Sequence, residues 1–234
     1  MVGACVGERP LLHFIKNMIR AFDLRDLPLV RRLSARGVPL HTESALTKNV
    51  HPLRVALFNL VGGDSPTYVW KAQEGRANGF IQLLLEEDHH HAHILFMGVS
   101  DPVEDGGNKQ SSLERGWLHL LDQAVVELGQ RGIHSLVAEV DEMGEELPIL
   151  RRAGFAIYTR QDVWMMADAA ILGETAVSLS ERESGDDWEI QLLYANTVPR
   201  LVQLVEPSPP MPAKTVWVLR EEGELTAFVH LLMG

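Results

Sequence analysis

Apolar residues in the middle of the chain change from helical to strand-like spacing within residues 111–164. One set recurs at i, i+3, i+4, i+7, i+8 and i+11, which predicts a helix with one buried face: Trp117, Leu120, Leu121, Ala124, Val125 and Leu128. Gly132 ends this helix. The following residues predict a strand over 136–140, a short helix over 146–153 closed by Gly154, and another strand over 155–164.

The residues before this segment predict a strand, two helices and three further strands. Asp26 is placed to cap the first helix, Gly37 ends it, and Pro52 fits the first turn of the second helix. The predicted elements are a strand at 18–22, a helix between Asp26 and Gly37, a helix at 53–60, and strands at 67–71, 79–86 and 93–99.

The complete order of elements, with the corner Arg152-Ala153-Gly154-Phe155, resembles the GNAT superfamily of acyl-CoA-dependent N-acetyltransferases. In that family an arginine-x-glycine-phenylalanine corner opens the strand that follows the short helix. The resemblance covers roughly residues 17–167. It implies an α/β (α+β) fold in which helices flank a mixed, splayed central sheet, and the cofactor enters where the fourth and fifth strands diverge.

The resemblance implies acetyl-CoA as the cofactor. Its pantetheine arm is an extended amide chain, which pairs with a free strand edge much as a peptide does. By resemblance, Met97, Gly98 and Val99 supply these backbone contacts.

The pyrophosphate of the cofactor is expected at a turn over residues 112–117, because backbone N–H groups at a helix N-terminus attract anions. The family pattern falls on Ser112, Arg115 and Trp117, with Gly116 one place off. Trp117 is bulky at a position where close backbone approach favours a small residue. Gly106-Gly107 is an alternative cradle, for which a surface loop is the favoured interpretation.

The family commonly uses a carboxylate to deprotonate the acceptor ammonium group, because the amine must be neutral before it attacks. Glu139 and Asp141 share one face of the predicted fifth strand, so either is a candidate base; a solvated strand-end carboxylate is the alternative. Leu150 stands where the family has a tyrosine that protonates the leaving thiolate.

Charge and cysteine content narrow the class of protein. The formal net charge of −11 argues against nucleic acid and anionic membranes as partners and favours a cationic amine substrate, although solubility alone also accounts for it. The single cysteine, Cys5, fits a reducing compartment, and no apolar run is long enough to cross a bilayer. These features predict a cytoplasmic protein with no membrane partner.

Four histidines, His89, His90, His91 and His93, follow acidic residues at a predicted hairpin tip. Adjacent side chains of a strand point to opposite faces, and neither a cysteine cluster nor an HExxH helix accompanies the histidines. His91 and His93 share a face. The favoured interpretation is a solvated turn, and no metal site is expected.

The chain predicts two domains, a GNAT-like domain over residues 1–167 and a smaller half-GNAT lobe over residues 168–234 that contains a strand, helices and a hairpin. Val69-Trp70 and Phe80 match Val216-Trp217 and Phe228, which favours a tandem GNAT with an incomplete second copy; two unrelated hairpins are the alternative. The open sheet edge of the lobe predicts packing on the first domain or a homodimer.

Two functional hypotheses follow. The first is an N-acetyltransferase that moves an acetyl group from acetyl-CoA to an amine of a small molecule or protein. The second is a catalytically inactive GNAT-like regulatory or assembly module, which Leu150 and the departures over residues 112–117 favour. Binding of acetyl-CoA discriminates between them.

Overall fold

The computed structural model describes residues 19–47, 51–60, 62–63, 65–71, 78–85, 90–100, 109–164, 178–205 and 216–231. Its contacts divide the chain into two units, with the boundary between Ala156 and Ile157. The predicted domain boundary at residues 167–168 lies outside the described residues. Within the described ranges, no helix is long and apolar enough to cross a membrane.

The first unit has mixed α/β structure, with six strands and five helices among its described residues. In chain order these are β1 (Arg20–Ala21), α1 (Leu27–Ser34), β2 (Val38–Pro39), α2 (Thr42–Thr47), α3 (Pro52–Asn59), β3 (Thr67–Lys71), β4 (Asn78–Leu85), β5 (His91–Val99), α4 (Lys109–Gln130), β6 (Ser135–Val137) and α5 (Glu146–Arg152).

These strands form one mixed sheet in the order β1-β3-β4-β5-β2, with β6 also paired to β5. Every pair is antiparallel except β5 and β6, which are parallel. Because β4 covers one edge of β5 from Ala92 to Val99, β2 and β6 share the opposite edge. The mixed sheet flanked by helices that the sequence predicts is confirmed.

Apolar side chains form two core clusters on this sheet. The α4 cluster packs α4 and α5 against the sheet, and the α1 cluster packs α1 and α3 against it. Along β3, Val69 joins the α1 cluster while Tyr68 and Trp70 join the α4 cluster, as the alternation of a strand requires. The predicted inner face of α4 is buried except at Val125, which is 42% exposed. The apolar stripe of α4 is therefore narrower than predicted.

Two predicted strands differ from the structure. The strand predicted over residues 136–140 ends at Val137, because the N–H of Glu139 donates to the carbonyl of Leu40 instead of extending the ladder with β5. Residues 155–164 are not in a strand. A strand requires a hydrogen-bonded neighbour, and these residues have no ladder partner among the described residues.

The second unit contains a strand, two helices and a hairpin, the content predicted for the C-terminal lobe. Its elements are β7 (Ser180–Glu181), α6 (Asp187–Thr197), α7 (Arg200–Val205), β8 (Val216–Glu221) and β9 (Glu224–His230), and its antiparallel sheet has the order β7-β8-β9. Among the described strands β9 pairs with β8 alone. A homodimer through its other edge stays a prediction.

The first described strands of the two units, β1 and β7, are followed by the same local structure. In each, a 3-10 turn follows the first strand and ends in a buried aspartate, Asp26 or Asp186, whose carboxylate accepts from the backbone N–H three residues earlier. A cation from a neighbouring strand then pairs with that aspartate: Lys71 with Asp26 and Arg220 with Asp186. The buried aspartate and its cation are a structural repeat.

The register of this repeat differs from the predicted one. Arg20 pairs with Val69 in the first unit and Ser180 pairs with Val218 in the second. Val69 therefore corresponds to Val218, and the predicted match of Val69 with Val216 is wrong by two positions. The apolar side chains of a hairpin recur every second residue, so composition alone did not fix the register.

Candidate functional site at the divergence of two parallel strands

β5 and β6 pair over three residues and then diverge. Their parallel ladder joins residues 91–93 to residues 135–137, whereas β5 continues to Val99. A gap therefore opens beside the C-terminal half of β5, in the region where the sequence predicts the cofactor.

The segment around β2 lies in this gap. Val38 pairs with Met97 and Pro39 pairs with Phe96. The edge of β5 is therefore already hydrogen-bonded at part of the predicted cofactor site.

Leu40 bridges the two diverging strands. Its N–H donates to the carbonyl of Leu95 (3.0 Å), and its carbonyl accepts from the N–H of Glu139 (2.8 Å). The side chain of Leu40 is fully buried in the α4 cluster. The gap thus accepts an extended peptide backbone that is hydrogen-bonded on both sides.

His41 follows Leu40 and precedes α2. Its side chain is 8% exposed, and Nδ1 lies 2.7 Å from Ser44 Oγ. The backbone N–H of Ser44 also points at this nitrogen, at 3.2 Å. Because a backbone N–H can only donate, Nδ1 is the acceptor in this arrangement, and the proton of the neutral imidazole lies on Nε2.

His93 and Glu139 complete a cluster with His41. His93 lies in β5 and is 9% exposed, and its ring centroid is 5.0 Å from that of His41 in an edge-to-face arrangement. Glu139 Oε2 accepts from the backbone N–H of Thr42 at 2.7 Å. One potential ligand atom from each of the three residues lies within 4.8 Å of the other two. We call these residues the His-His-Glu cluster.

The cluster contains an uncharged imidazole at neutral pH. Burial, together with the neighbouring His41, lowers the pKa of His93 to about 4, whereas the carboxylate of Glu139 opposes the shift. An uncharged ring keeps a lone pair for a proton or a metal ion.

Of the predicted pantetheine residues, Met97 pairs with Val38 and is fully buried. Gly98 packs beneath α1, where an added Cβ would lie 3.2 Å from the carbonyl of Leu33. Val99 ends β5 and is 7% exposed. The structure therefore brings these three residues to the gap edge, and a role in cofactor binding stays a prediction.

The turn predicted over residues 112–117 is wrong, because these residues lie inside α4, which begins at Lys109. Their N–H groups from Leu113 onward can bond within the helix, so they do not converge on an anion. Arg115 is exposed, whereas Trp117 is 7% exposed and belongs to the core. Leu113 and Glu114, which follow the two serines, are good helix formers. Their helix propensity outweighed the turn that the family pattern predicts. Gly106-Gly107 lies outside the described residues.

Gly116 serves packing between helix and sheet. A Cβ at Gly116 would lie 2.6 Å from Val99 Cγ1, whereas one at Gly129 of the same helix would meet nothing within 4 Å. The missing side chain of Gly116 thus allows α4 to approach β5.

Gly116→Ala is expected to lower the free energy of unfolding by about 1–3 kcal/mol through overpacking. Gly129→Ala is expected to raise it by about 0.5–1 kcal/mol, because alanine is the better helix former. Urea unfolding of both variants measures the difference. Equal effects at the two positions would show that Gly116 has no special packing role.

The two candidate bases occupy different surroundings. Glu139 is half-buried in the cluster, whereas Asp141 is exposed and its Oδ1 accepts from the backbone N–H of Met143 (2.8 Å). Leu150 is 3% exposed and packs in the core on α5. Gly154 has the predicted left-handed conformation, with φ of 100°. Of the two candidate bases, Glu139 alone belongs to the His-His-Glu cluster, and a role in catalysis stays a prediction for both.

The histidine run does not form the predicted solvated turn throughout. His91 and His93 lie in β5, and His91 Nδ1 is 2.6 Å from Ser135 Oγ. His90 stacks on His134, with ring centroids 5.6 Å apart. Sequence reasoning missed His41 and its link to His93, because the three cluster residues come from segments far apart in the chain.

Comparison with known proteins adds no relative. No protein-family model, no curated protein and no solved structure matches this chain.

Proposed function

We propose that the chain is an acetyl-CoA-dependent N-acetyltransferase of the GNAT type, acting on an amine of a small molecule or protein. One observation supports this above the others: the gap between β5 and β6 already holds an extended peptide at Leu40, bonded to both sides. Pantetheine carries amides that make the same kind of contact.

Glu139 is the proposed base. It lies where the strands diverge, so an amine that meets a thioester in the gap comes close to its carboxylate. The ammonium group must lose a proton before it attacks, and a positioned carboxylate accepts that proton directly or through one water. The N–H of Thr42 fixes one carboxylate oxygen, so the side chain is held in place.

Cofactor binding requires the β2 segment to leave part of the gap. Val38 and Leu40 use the backbone groups of β5 at Met97 and Leu95, and two chains cannot share one strand edge. The proposal therefore includes a displacement of residues 38–40 when acetyl-CoA binds.

Saturating acetyl-CoA is expected to stabilise the protein and to loosen residues 38–40. At a ligand concentration of 100 times Kd, the free energy of unfolding rises by about 2.7 kcal/mol. The amides of Leu40 and Glu139 are expected to exchange faster with solvent deuterium, because their partners are lost. Thermal melting and hydrogen exchange measure the two effects on the full chain.

Adenosine 3′,5′-diphosphate, which lacks the pantetheine arm, is the matched control ligand and is expected to leave the exchange of Leu40 unchanged. No rise in melting temperature with acetyl-CoA would refute the transferase proposal. Stabilisation without faster exchange would place the cofactor outside the gap. Once an acceptor amine is found, Glu139→Gln is expected to slow transfer by about 100-fold or more, and Asp141→Asn is the control.

A second candidate function is a GNAT-like regulatory or assembly module without catalysis. The helical structure of residues 112–117 and the apolar Leu150 favour it. Such a module gives no stabilisation by acetyl-CoA, so the same melting experiment separates the two functions.

A further inference from the structure

We propose that the His-His-Glu cluster binds one divalent transition-metal ion, with zinc as the best match. Its protein ligands are His41, His93 and Glu139. This proposal does not depend on acetyl transfer, since its evidence is the arrangement of the three side chains.

The ligand types define the class of metal. Two imidazoles and one carboxylate are a common zinc set, in which three protein ligands leave a fourth position open for water or another ligand. Magnesium and calcium prefer sites built from oxygen ligands alone, so two imidazoles argue against them.

Neighbouring groups hold two of the ligands. Coordination through Nε2 of His41 requires the ring proton to move to Nδ1, where Ser44 Oγ, 2.7 Å away, can accept its hydrogen bond while the backbone N–H of Ser44 loses its acceptor. The backbone N–H of Thr42 donates to Oε2 of Glu139 (2.7 Å). Hydrogen bonds of this kind orient metal ligands in known sites.

The distances require only local closure. Zinc bonds of about 2.0–2.2 Å in tetrahedral geometry place ligand atoms about 3.4 Å apart. The potential ligand atoms of the cluster lie within 4.8 Å of one another. Side-chain rotations that shorten these separations by at most about 1.4 Å therefore bring the atoms to tetrahedral spacing. The backbones are tied together nearby, since Glu139 and Leu40 share a hydrogen bond.

A bound ion would join three separate parts of the first unit. His41 follows the β2 segment, His93 lies in β5, and Glu139 follows β6. Metal binding is therefore expected to fix residues 38–40 in the gap, the opposite of the effect proposed for acetyl-CoA.

The test is titration of the metal-free full chain with Zn²⁺ in competition with a chromophoric chelator. One equivalent is expected to bind with a Kd of about 1 µM or below, to raise the melting temperature and to slow hydrogen exchange at Leu40. Co²⁺ is the spectroscopic probe, because its visible spectrum reports coordination by nitrogen and oxygen in tetrahedral geometry.

Glu139→Gln and His41→Ala are each expected to weaken Zn²⁺ binding by about 100-fold, and Ser44→Ala by about 10-fold. His93→Ala removes a large side chain from β5, so its melting curve without metal is compared with wild type. Glu139→Gln keeps the shape of a half-buried side chain and gives a result even where His93→Ala fails to fold.

His90→Ala is the matched control, because His90 is an exposed histidine next to the same strand. It is expected to leave the high-affinity equivalent unchanged. Loss of binding in His90→Ala with retention in Glu139→Gln would assign the metal to the surface histidines and overturn the proposal. Absence of Zn²⁺ binding at 100 µM, roughly a hundred times the expected Kd, would overturn it as well.

Discussion

Asp26→Asn is expected to lower the free energy of unfolding of the first unit by about 3 kcal/mol, the low end of the range for breaking a buried ion pair. The Asp26 side chain is fully buried, and Arg20 donates two hydrogen bonds to it at 2.6 and 2.7 Å. Lys71 lies 2.8 Å away, and the N–H of Asp23 donates at 3.0 Å. Asparagine removes the charge and one acceptor, and leaves two cations facing an amide.

The same carboxylate predicts a pH dependence. Burial acts to raise the pKa of Asp26, but hydrogen bonds from Arg20 and Lys71 outweigh it and lower the pKa to about 2, from 3.8 in the unfolded chain. The contribution of this ionised group is therefore present above about pH 4 and is lost as the pH falls toward 2. Urea unfolding of wild type and Asp26→Asn is expected to differ by a constant amount above pH 5, and the difference is expected to shrink below pH 4.

Asp186→Asn is the matched variant in the second unit, because Asp186 occupies the same place after its turn and pairs with Arg220. It is expected to destabilise the second unit while the first keeps its stability. Hydrogen exchange of the two hairpins reports the units separately. Unchanged unfolding of Asp26→Asn at neutral pH would show that desolvation cancels the ion pairs.

Gly37→Ala is expected to push the β2 segment off β5 and to lower the free energy of unfolding by about 2 kcal/mol. A Cβ at Gly37 would lie 2.6 Å from the carbonyl oxygen of Met97 and would overlap the ring of Phe96. The carbonyl belongs to a central strand and has little freedom to move. The amide of Leu40 is therefore expected to exchange at least about ten times faster in the variant, since a tenfold change corresponds to about 1.4 kcal/mol of opening energy.

Gly37→Ala also tests whether residues 38–40 compete with a ligand for the gap between β5 and β6. A ligand that competes with residues 38–40 binds more tightly when the segment is loosened, because the open state is more populated. Acetyl-CoA is therefore expected to gain affinity in Gly37→Ala, and Zn²⁺ to lose it. Gly129→Ala, an alanine substitution without close neighbours, is the control for both ligands. Unchanged exchange at Leu40 would mean that the Phe96 ring alone makes room for the methyl group.

Long elements with regular spacing could be predicted from the sequence. The apolar repeat of α4 located its buried residues from Trp117 to Leu128, and the glycines at its end and after α5 have positive φ values, 79° at Gly132 and 100° at Gly154. Such elements are determined by local spacing and by backbone conformations that glycine adopts without strain.

The short elements that form the candidate site could not be predicted. β2 has two residues and α2 has six, too few to show a period of either kind. Their positions depend on tertiary hydrogen bonds, such as those of Leu40 to Leu95 and Glu139. His41 and His93 come into contact only when the sheet has formed, so the spacing of residues along the chain does not predict the cluster.

The paired buried aspartates bear on how each unit is held together. In each unit the aspartate connects the turn after the first described strand to a cation of a neighbouring strand, so each unit has its own ion-paired link between turn and sheet. Within the described ranges, however, the His-His-Glu cluster belongs to the first unit alone. The turn is therefore common to both units and separate from the candidate site, whereas the cluster distinguishes the first unit from the second within the described ranges.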